Sequence, residues 1–234
     1  MKTQPKVYLV PTVLDEAATA TIPAYIITAV KDCQCIFAEN ERSARRFLKS
    51  ICKEIVIDDY EWFAIHKVEE EVLNQFRQRI KEGKHIAIIS EAGCPGVADP
   101  GQLLVAAAHE MNAIVKPLVG PSSILLALMA SGMNGQQFEF AGYLPIDTAE
   151  RSKSIAALEA ASIKNGSTKI FIETPYRNNQ LLETLLKTCR PGTRLCVAVS
   201  LTSNEEFIKT QSIASWKQEK TDLHKKPAIF LLQA

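Results

Sequence analysis

Runs of residues that are apolar at every position, each followed by a longer segment of helical period, constrain this chain more than any other feature. The clearest is His85-Ile86-Ala87-Ile88-Ile89. A strand with one wet face alternates apolar and polar side chains, so an unbroken apolar run requires cover on both faces. Val7-Tyr8-Leu9-Val10, closed by Pro11, reads the same way, as do residues 35–38, and residues 114–118 read as a further strand that carries Lys116. Glu54-Ile55-Val56-Ile57 reads as a further short strand. Between these runs helices are predicted over residues 22–31, 42–50 and 102–110. The most regular helical stripe is Val68, Val72, Leu73, Phe76 and Ile80, with Gly83 as its C-terminal cap. Strands of this kind separated by helices predict a parallel sheet with helices on both faces.

The pattern restarts after Gly120. Helices are predicted over residues 122–130, 149–163 and 176–187, and strands over 138–142 and 169–172. Three more strands, at 195–199, 207–210 and 228–232, follow without long helices between them, which predicts a mixed sheet. The expected class is therefore α/β, with two α/β domains over residues 1–118 and 119–234: a parallel sheet in the first and a mixed sheet in the second.

Composition narrows the function classes. With 47% hydrophobic residues the chain has ample material for a core. The longest clean apolar run, residues 124–130, is far too short for a membrane span, and Met1-Lys2-Thr3-Gln4-Pro5-Lys6 lacks the apolar core of a signal peptide. A cytoplasmic protein with no membrane partner is expected. Its six cysteines form no C-x-x-C pair and are read as reduced, buried thiols. The histidines at 66, 85, 109 and 224 fall at no metal-ligand spacing, so no metal is expected. A net charge of +1, divided as −2 over residues 1–118 and +3 over 119–234, implies no strong electrostatic grip on a phosphate backbone.

Three loops at strand ends have unusual composition, and ligands of open α/β sheets bind at such ends. Ser90-Glu91-Ala92-Gly93-Cys94-Pro95-Gly96-Val97-Ala98-Asp99-Pro100-Gly101 is built for close approach; by composition alone it equally fits a stiff connector. It is neither a Walker A loop nor a G-x-G-x-x-G loop. Cys94 sits where a nucleophile elbow would place its nucleophile, but Pro95 after it has no N–H for an oxyanion hole, which argues against a cysteine hydrolase. The other loops are Gly120-Pro121-Ser122-Ser123, which by itself is simple helix initiation, and Glu173-Thr174-Pro175-Tyr176-Arg177.

Together these loops resemble the tetrapyrrole methylase superfamily, and within it the ribosomal small-subunit RNA 2′-O-ribose methyltransferase I family. Ser90-Glu91-Ala92-Gly93-Cys94-Pro95 is similar to the family's S-D-A-G-T-P, and Asp99-Pro100-Gly101 to its D-P-G. Gly120-Pro121-Ser122-Ser123 resembles G-P-S-A, Ala130-Ser131-Gly132 its A-S-G, Phe138-Glu139-Phe140-Ala141-Gly142-Tyr143-Leu144-Pro145 its F-x-F-x-G-F-L-P, and Glu173-Thr174-Pro175-Tyr176-Arg177 its E-S-P-H-R. The resemblance implies S-adenosylmethionine as methyl donor, bound in a cleft between the two domains of a homodimer subunit. It also implies ribosomal RNA or the small ribosomal subunit as partner. Carried over position by position, the donor's neighbours are Pro11, Gly93, Cys94, Val97, Ser122, Ser123, Thr174, Leu201 and Ala228.

The departures lie elsewhere. The family's G-T-P-I-G-N-L is Val10-Pro11-Thr12-Val13-Leu14-Asp15-Glu16 here, its A-E-D-T-R is Ala38-Glu39-Asn40-Glu41-Arg42, and its A-R-E-L-T-K is Val199-Ser200-Leu201-Thr202-Ser203-Asn204. Fewer cations follow Pro145 than in the family. Donor-side loops are mostly retained and substrate-side positions have drifted, which supports methyl transfer more than it supports RNA. An alcohol acceptor needs a proton acceptor nearby. Glu39, with Arg42 one turn on to orient it, is the first candidate, Glu173 the second and Asp99 the third. Methylation of a small molecule or tetrapyrrole, and donor binding without catalysis, are the alternatives.

Overall fold

The computed structural model describes residues 4–65 and 69–234. His66 and Val68, used above for ligand spacing and for the helical stripe, lie outside the described residues, as do Met1 to Thr3 of the amino-terminal reading. The chain divides into two compact units, Met1–Ser122 and Ser123–Ala234.

The first unit contains, in order, β1 (Lys6–Val10), α1 (Tyr25–Lys31), β2 (Cys35–Ala38), α2 (Glu41–Ile51), β3 (Glu61–Ala64), α3 (Glu69–Lys81), β4 (Ile86–Ile89), α4 (Gln102–Glu110) and β5 (Ile114–Pro117). The sheet order is β3-β2-β4-β1-β5, every pairing parallel. Its apolar runs divide residue by residue between two cores. Val7, Cys35, Phe37, Ile86 and Ile88 face α3 and α4, meeting Phe76, Ile80, Leu104 and Ala108. Tyr8, Val10, Ile36, Ala38, Ala87 and Ile89 face α1 and α2, meeting Ile26, Val30, Phe47 and Leu48. Since successive side chains of a strand point to opposite faces, two covered faces leave no position for a polar residue.

Two expectations are corrected. Residues 54–57 do not form a strand; the third strand is Glu61–Ala64, after a 3-10 turn at Ile57–Asp59. The alternation in Glu54-Ile55-Val56-Ile57 buries only Ile55 and leaves Val56 exposed. Pairing beside β2 goes instead to the aromatic segment. Phe63 stacks on Phe37 at 4.5 Å, Arg45 lies over the Trp62 ring, and Trp62 Nε1 donates to the Ile57 carbonyl at 3.0 Å. The first helix begins at Tyr25 rather than at residue 22, because Pro23 opens its first turn, its carbonyl accepting from Ile26 N–H.

The second unit contains α5 (Ser123–Ser131), β6 (Phe138–Tyr143), α6 (Thr148–Asn165), β7 (Thr168–Ile172), α7 (Asn178–Thr188), β8 (Arg194–Val199), β9 (Phe207–Ser212), the short α8 (Ile213–Trp216) and β10 (Ala228–Gln233). Its sheet is mixed, in the order β6-β7-β10-β8-β9. β6 and β7 run parallel, and the remaining pairs are antiparallel. Phe171, Val197, Phe230 and Leu232 pack with Ile155 of α6, Leu181 and Leu185 of α7, and Trp216. α6 opens on Asp147, whose carboxylate caps two backbone N–H groups, and closes on left-handed Gly166.

Candidate functional site

Because all five strands of the first sheet are parallel, their following loops share one edge. The loops after β1, β4 and β5 are joined there by backbone contacts. Thr12 N–H donates to the Gly93 carbonyl at 2.9 Å, and Thr12 Oγ1 donates to Ser90 at 3.3 Å. Cys94 Sγ reaches the Pro121 carbonyl at 3.5 Å. Gly93 has a left-handed φ of 75°, and a Cβ there would meet Leu14 and the Pro121 carbonyl. At Gly120 a Cβ would fall on the ring of Pro11. The structure therefore brings Pro11, Gly93, Cys94 and Ser122 to one rim of small residues, with Val97 exposed on the turn beyond. Of the six cysteines only Cys94 is not buried; its rim position differs from the five core thiols.

Glu39 follows β2 on the same edge. Its Oε2 accepts from Glu91 N–H at 2.9 Å, and Glu91 Oε1 accepts from Ser43 Oγ at 3.2 Å. Arg42 stands exposed in the first turn of α2, its backbone N–H held by the Asn40 cap. Asp99 is half-buried. Burial first, then the nearby charges of Glu39 and Glu91, push its carboxyl up to about 6, against a small opposing hydrogen bond from Ser90. Ala98 beside it has a φ of 62°, a strained conformation for a residue with a Cβ. Glu91 was missed as a member of this group, although it lies within the motif that drew attention to the loop. A cavity of about 380 Å³ opens between the β1 loop, α2 and the β4 loop, lined in part by Thr12, Ser43, Arg46, Ser90 and Glu91.

In the second unit, the antiparallel pairings bring the ends of β7 and β8 and the start of β10 to one edge, through Ile172↔Ile229 and Val199↔Ala228. Thr174, Leu201 and Ala228 lie there, while Ser123 opens α5. Glu173, with its side chain 0% exposed, forms an ion pair with Arg177 at 2.7 Å and accepts from Thr174 N–H at 2.6 Å. Burial alone would push its carboxyl up; the Arg177 guanidinium and the Thr174 N–H together outweigh this and hold it below the usual carboxylate range. Glu173 Oε2, Asn178 Oδ1 and Thr202 Oγ1 are buried at this edge without hydrogen-bond partners. Leu201 sits between two non-glycine residues with left-handed backbone, Ser200 (φ 49°) and Thr202 (φ 71°). Unsatisfied buried groups and local strain are both costly, and they collect at functional sites. Asn178 and Thr202 carry no signal in the sequence, since their distinction is an unmet bond. Among the described residues no cluster of His, Cys, Asp and Glu could hold a metal ion, and no helix is long and apolar enough to cross a membrane.

The model of the tetrapyrrole (corrin/porphyrin) methylases matches residues 6–216. The chain is 34% identical over 206 residues to the ribosomal RNA small subunit methyltransferase I of Micromonospora olivasterospora, covering 86% of this chain and 61% of that one. To the protein of the same name from Bacillus subtilis (strain 168) it is 31% identical, covering 91% and 70% respectively. Among solved structures, the methyltransferase CobJ superposes with a TM-score of 0.64 at 16% identity, covering 98% of this chain and 93% of CobJ. Uroporphyrin-III C-methyltransferase of Thermus thermophilus, complexed with S-adenosylhomocysteine, superposes with a TM-score of 0.55 at 15% identity and 97% coverage of both chains. These two share the fold. The match over nearly the whole chain shows that the chain belongs to the tetrapyrrole methylase family of S-adenosylmethionine-dependent methyltransferases.

Proposed function

We propose that the protein transfers a methyl group from S-adenosylmethionine to a ribose 2′-hydroxyl of small-subunit ribosomal RNA, acting in the cytoplasm as a homodimer. The observation that carries the reading is the rim of Pro11, Gly93, Cys94 and Ser122 in a chain that is 34% and 31% identical to two proteins named ribosomal RNA small subunit methyltransferase I. The homodimer rests on family resemblance alone.

The residues present suit the donor. Gly93 and the small side chains beside it permit backbone groups to approach a ligand closely. In the second unit, the orphaned Glu173 Oε2 and Thr202 Oγ1 adjoin Thr174 and Leu201, two of the carried-over positions, and offer polar partners to a ligand. When bound, S-adenosylmethionine supplies an electrophilic methyl on a sulfonium, so the protein's contribution is mainly orientation, which supplies about 7–11 kcal/mol in favourable systems.

Removal of the hydroxyl proton falls best to Asp99. A base near 6 works close to neutral pH, whereas Glu173 is committed to Arg177. Glu39, anchored by Glu91 N–H, keeps a negative charge near Asp99 and thereby helps to hold its carboxyl up.

Calorimetric titration with S-adenosylmethionine and its demethylated product tests the donor site; one-site binding that Ser122→Trp abolishes is expected. Labelled donor incubated with small ribosomal subunits and with precorrin-like compounds then tests the acceptor. Transfer to a tetrapyrrole and none to RNA would move the activity to the small-molecule branch of the family. Tight donor binding without transfer to either would make this a binding protein.

A further inference from the structure

At the ligand edge of the second unit one aromatic ring stands in solvent among cations. Tyr176 is 68% exposed, immediately after Pro175 in the loop between β7 and α7. His224 presents its ring edge-on at 6.1 Å between centroids, and Lys225 Nζ lies 6.0 Å from the ring centre. Lys226 is exposed next to Lys225. Tyr143, at the end of neighbouring β6, is 61% exposed and interacts electrostatically with Arg177. The arrangement therefore offers two exposed tyrosines with Arg177, Lys225, Lys226 and His224 about them.

This group is built rather than left over. Lys225 N–H donates to the Pro175 carbonyl at 3.0 Å with a left-handed φ of 60°, and Asn178 Nδ2 donates to the Lys226 carbonyl at 2.7 Å. Asn179 Oδ1 accepts from Leu223 N–H at 2.8 Å, while its Nδ2 and His224 N–H both bond Asp222 Oδ1. The turn carrying the cations is thus pinned to the loop carrying the ring. Glu173 is offset by Arg177, and Lys225 with Lys226 outweighs the single charge of Asp222, so the net charge of the group is positive.

We infer that Tyr176, flanked by Lys225 and His224, is a stacking platform for an unpaired base of single-stranded RNA, with Lys225 and Lys226 meeting the adjoining phosphates. A hydrophobic protein partner would be met by aliphatic neighbours, whereas cations around a fixed aromatic face suit a base joined to phosphate. The inference rests on the RNA reading above and adds a specific contact to it, at a side chain with no part in donor binding.

The test is fluorescence anisotropy of a labelled twelve-nucleotide single-stranded RNA titrated with the full chain, run for Tyr176→Ala, Tyr176→Phe and Lys225→Gln. Tyr176→Ala should weaken binding roughly 5- to 150-fold, the range for loss of one base–aromatic stack. Tyr176→Phe should bind nearly as well as the parent, and Lys225→Gln should lower the slope of log affinity against log salt by about 0.7, as for one lost phosphate contact on a single strand. Donor affinity and thermal melting, measured on the same variants, should not change. Equal RNA affinity for Tyr176→Ala and the parent would overturn the platform. So would a matching loss for heparin, which has phosphate-like charge and no bases. Failure of the RNA reading itself shows separately, as absent methyl transfer to small subunits by the parent protein; transfer that persists with Tyr176→Ala affinity unchanged sinks only the platform.

Discussion

Around Gly93 and Gly120 the strand-end loops of the first unit meet largely through backbone, whereas around Glu173 those of the second meet largely through side chains. Around Gly93, Thr12 and Gly120 the contacts are carbonyls, amides and a proline ring, and the rim is defined by what will not fit. Around Glu173 the loop is organised by a buried carboxylate and a guanidinium, with several polar atoms left unmet. Beside Gly120 the first arrangement is intolerant of added volume. The second depends on charge.

This contrast can be broken in three ways, taken from the largest expected effect down. Arg177→Met should destabilise the fold by about 3 kcal/mol at pH 7, since it leaves Glu173 buried without its countercharge. The sign with pH is definite. In the parent, the lowered carboxyl contributes stability that is present above its unfolded value of 4.5 and is lost as pH falls through the folded value. The deficit of the variant, read by urea denaturation, should therefore shrink toward pH 4; a pH-independent deficit would mean that packing, not charge, organises this loop. Gly120→Ala should cost about 2 kcal/mol from overpacking against Pro11, at pH 5 and pH 8 alike. A melting temperature equal to the parent's would show that the rim yields to volume and is not defined sterically.

The smallest effect sharpens the contrast at the carboxylates of the first unit, where Asp99 lies near Glu39 and Glu91. Asp99 has its carboxyl raised from 3.8 to about 6, so the fold binds its proton more tightly than the unfolded chain does, and stability falls as pH rises through that window. Asp99→Asn should stabilise the protein at pH 8 by roughly 1 kcal/mol, the full shift being discounted because the group is half open to solvent. At pH 3.5 the two proteins should melt together. Transfer activity should fall at the same time. An Asp99→Asn variant that melts with the parent at pH 8 would remove the reason for choosing Asp99 over Glu39 as the base.

Much of this was legible in the chain because covered faces leave a strong record. The continuous run Ile86–Ile89 announces burial on both sides, and the matching helices supply the cover. The third strand was misread because Glu54-Ile55-Val56-Ile57 and Glu61–Ala64 both have strand-like composition, and the choice between them turns on Phe63 meeting Phe37, residues 26 positions apart. In the site, glycine and proline motifs marked the rim, since steric demands restrict residue type. Unmet hydrogen bonds do not. Asn178 and Thr202 are distinguished only by what surrounds them, and Glu91 gains its interest from the approach of Glu39 and Ser43.

The order β3-β2-β4-β1-β5 also fixes when the first unit can form. Strands β1 and β2 are adjacent in sequence, yet they do not pair with each other; β2 meets β3 first, through Cys35↔Glu61, and only β4 joins β1 to them, through Val7↔Ile86 and Cys35↔Ile86. The outer pairing Lys6↔Ile114 waits longer still. During synthesis β1 therefore has no native neighbour until the central strand is made, and a fragment that ends before it holds at most the β2–β3 pair. Loop closure of this length is slow and leaves strand edges open meanwhile. Completion of the sheet is accordingly late, since β1 is joined to its neighbours only after Ile86 and β5 only after Ile114.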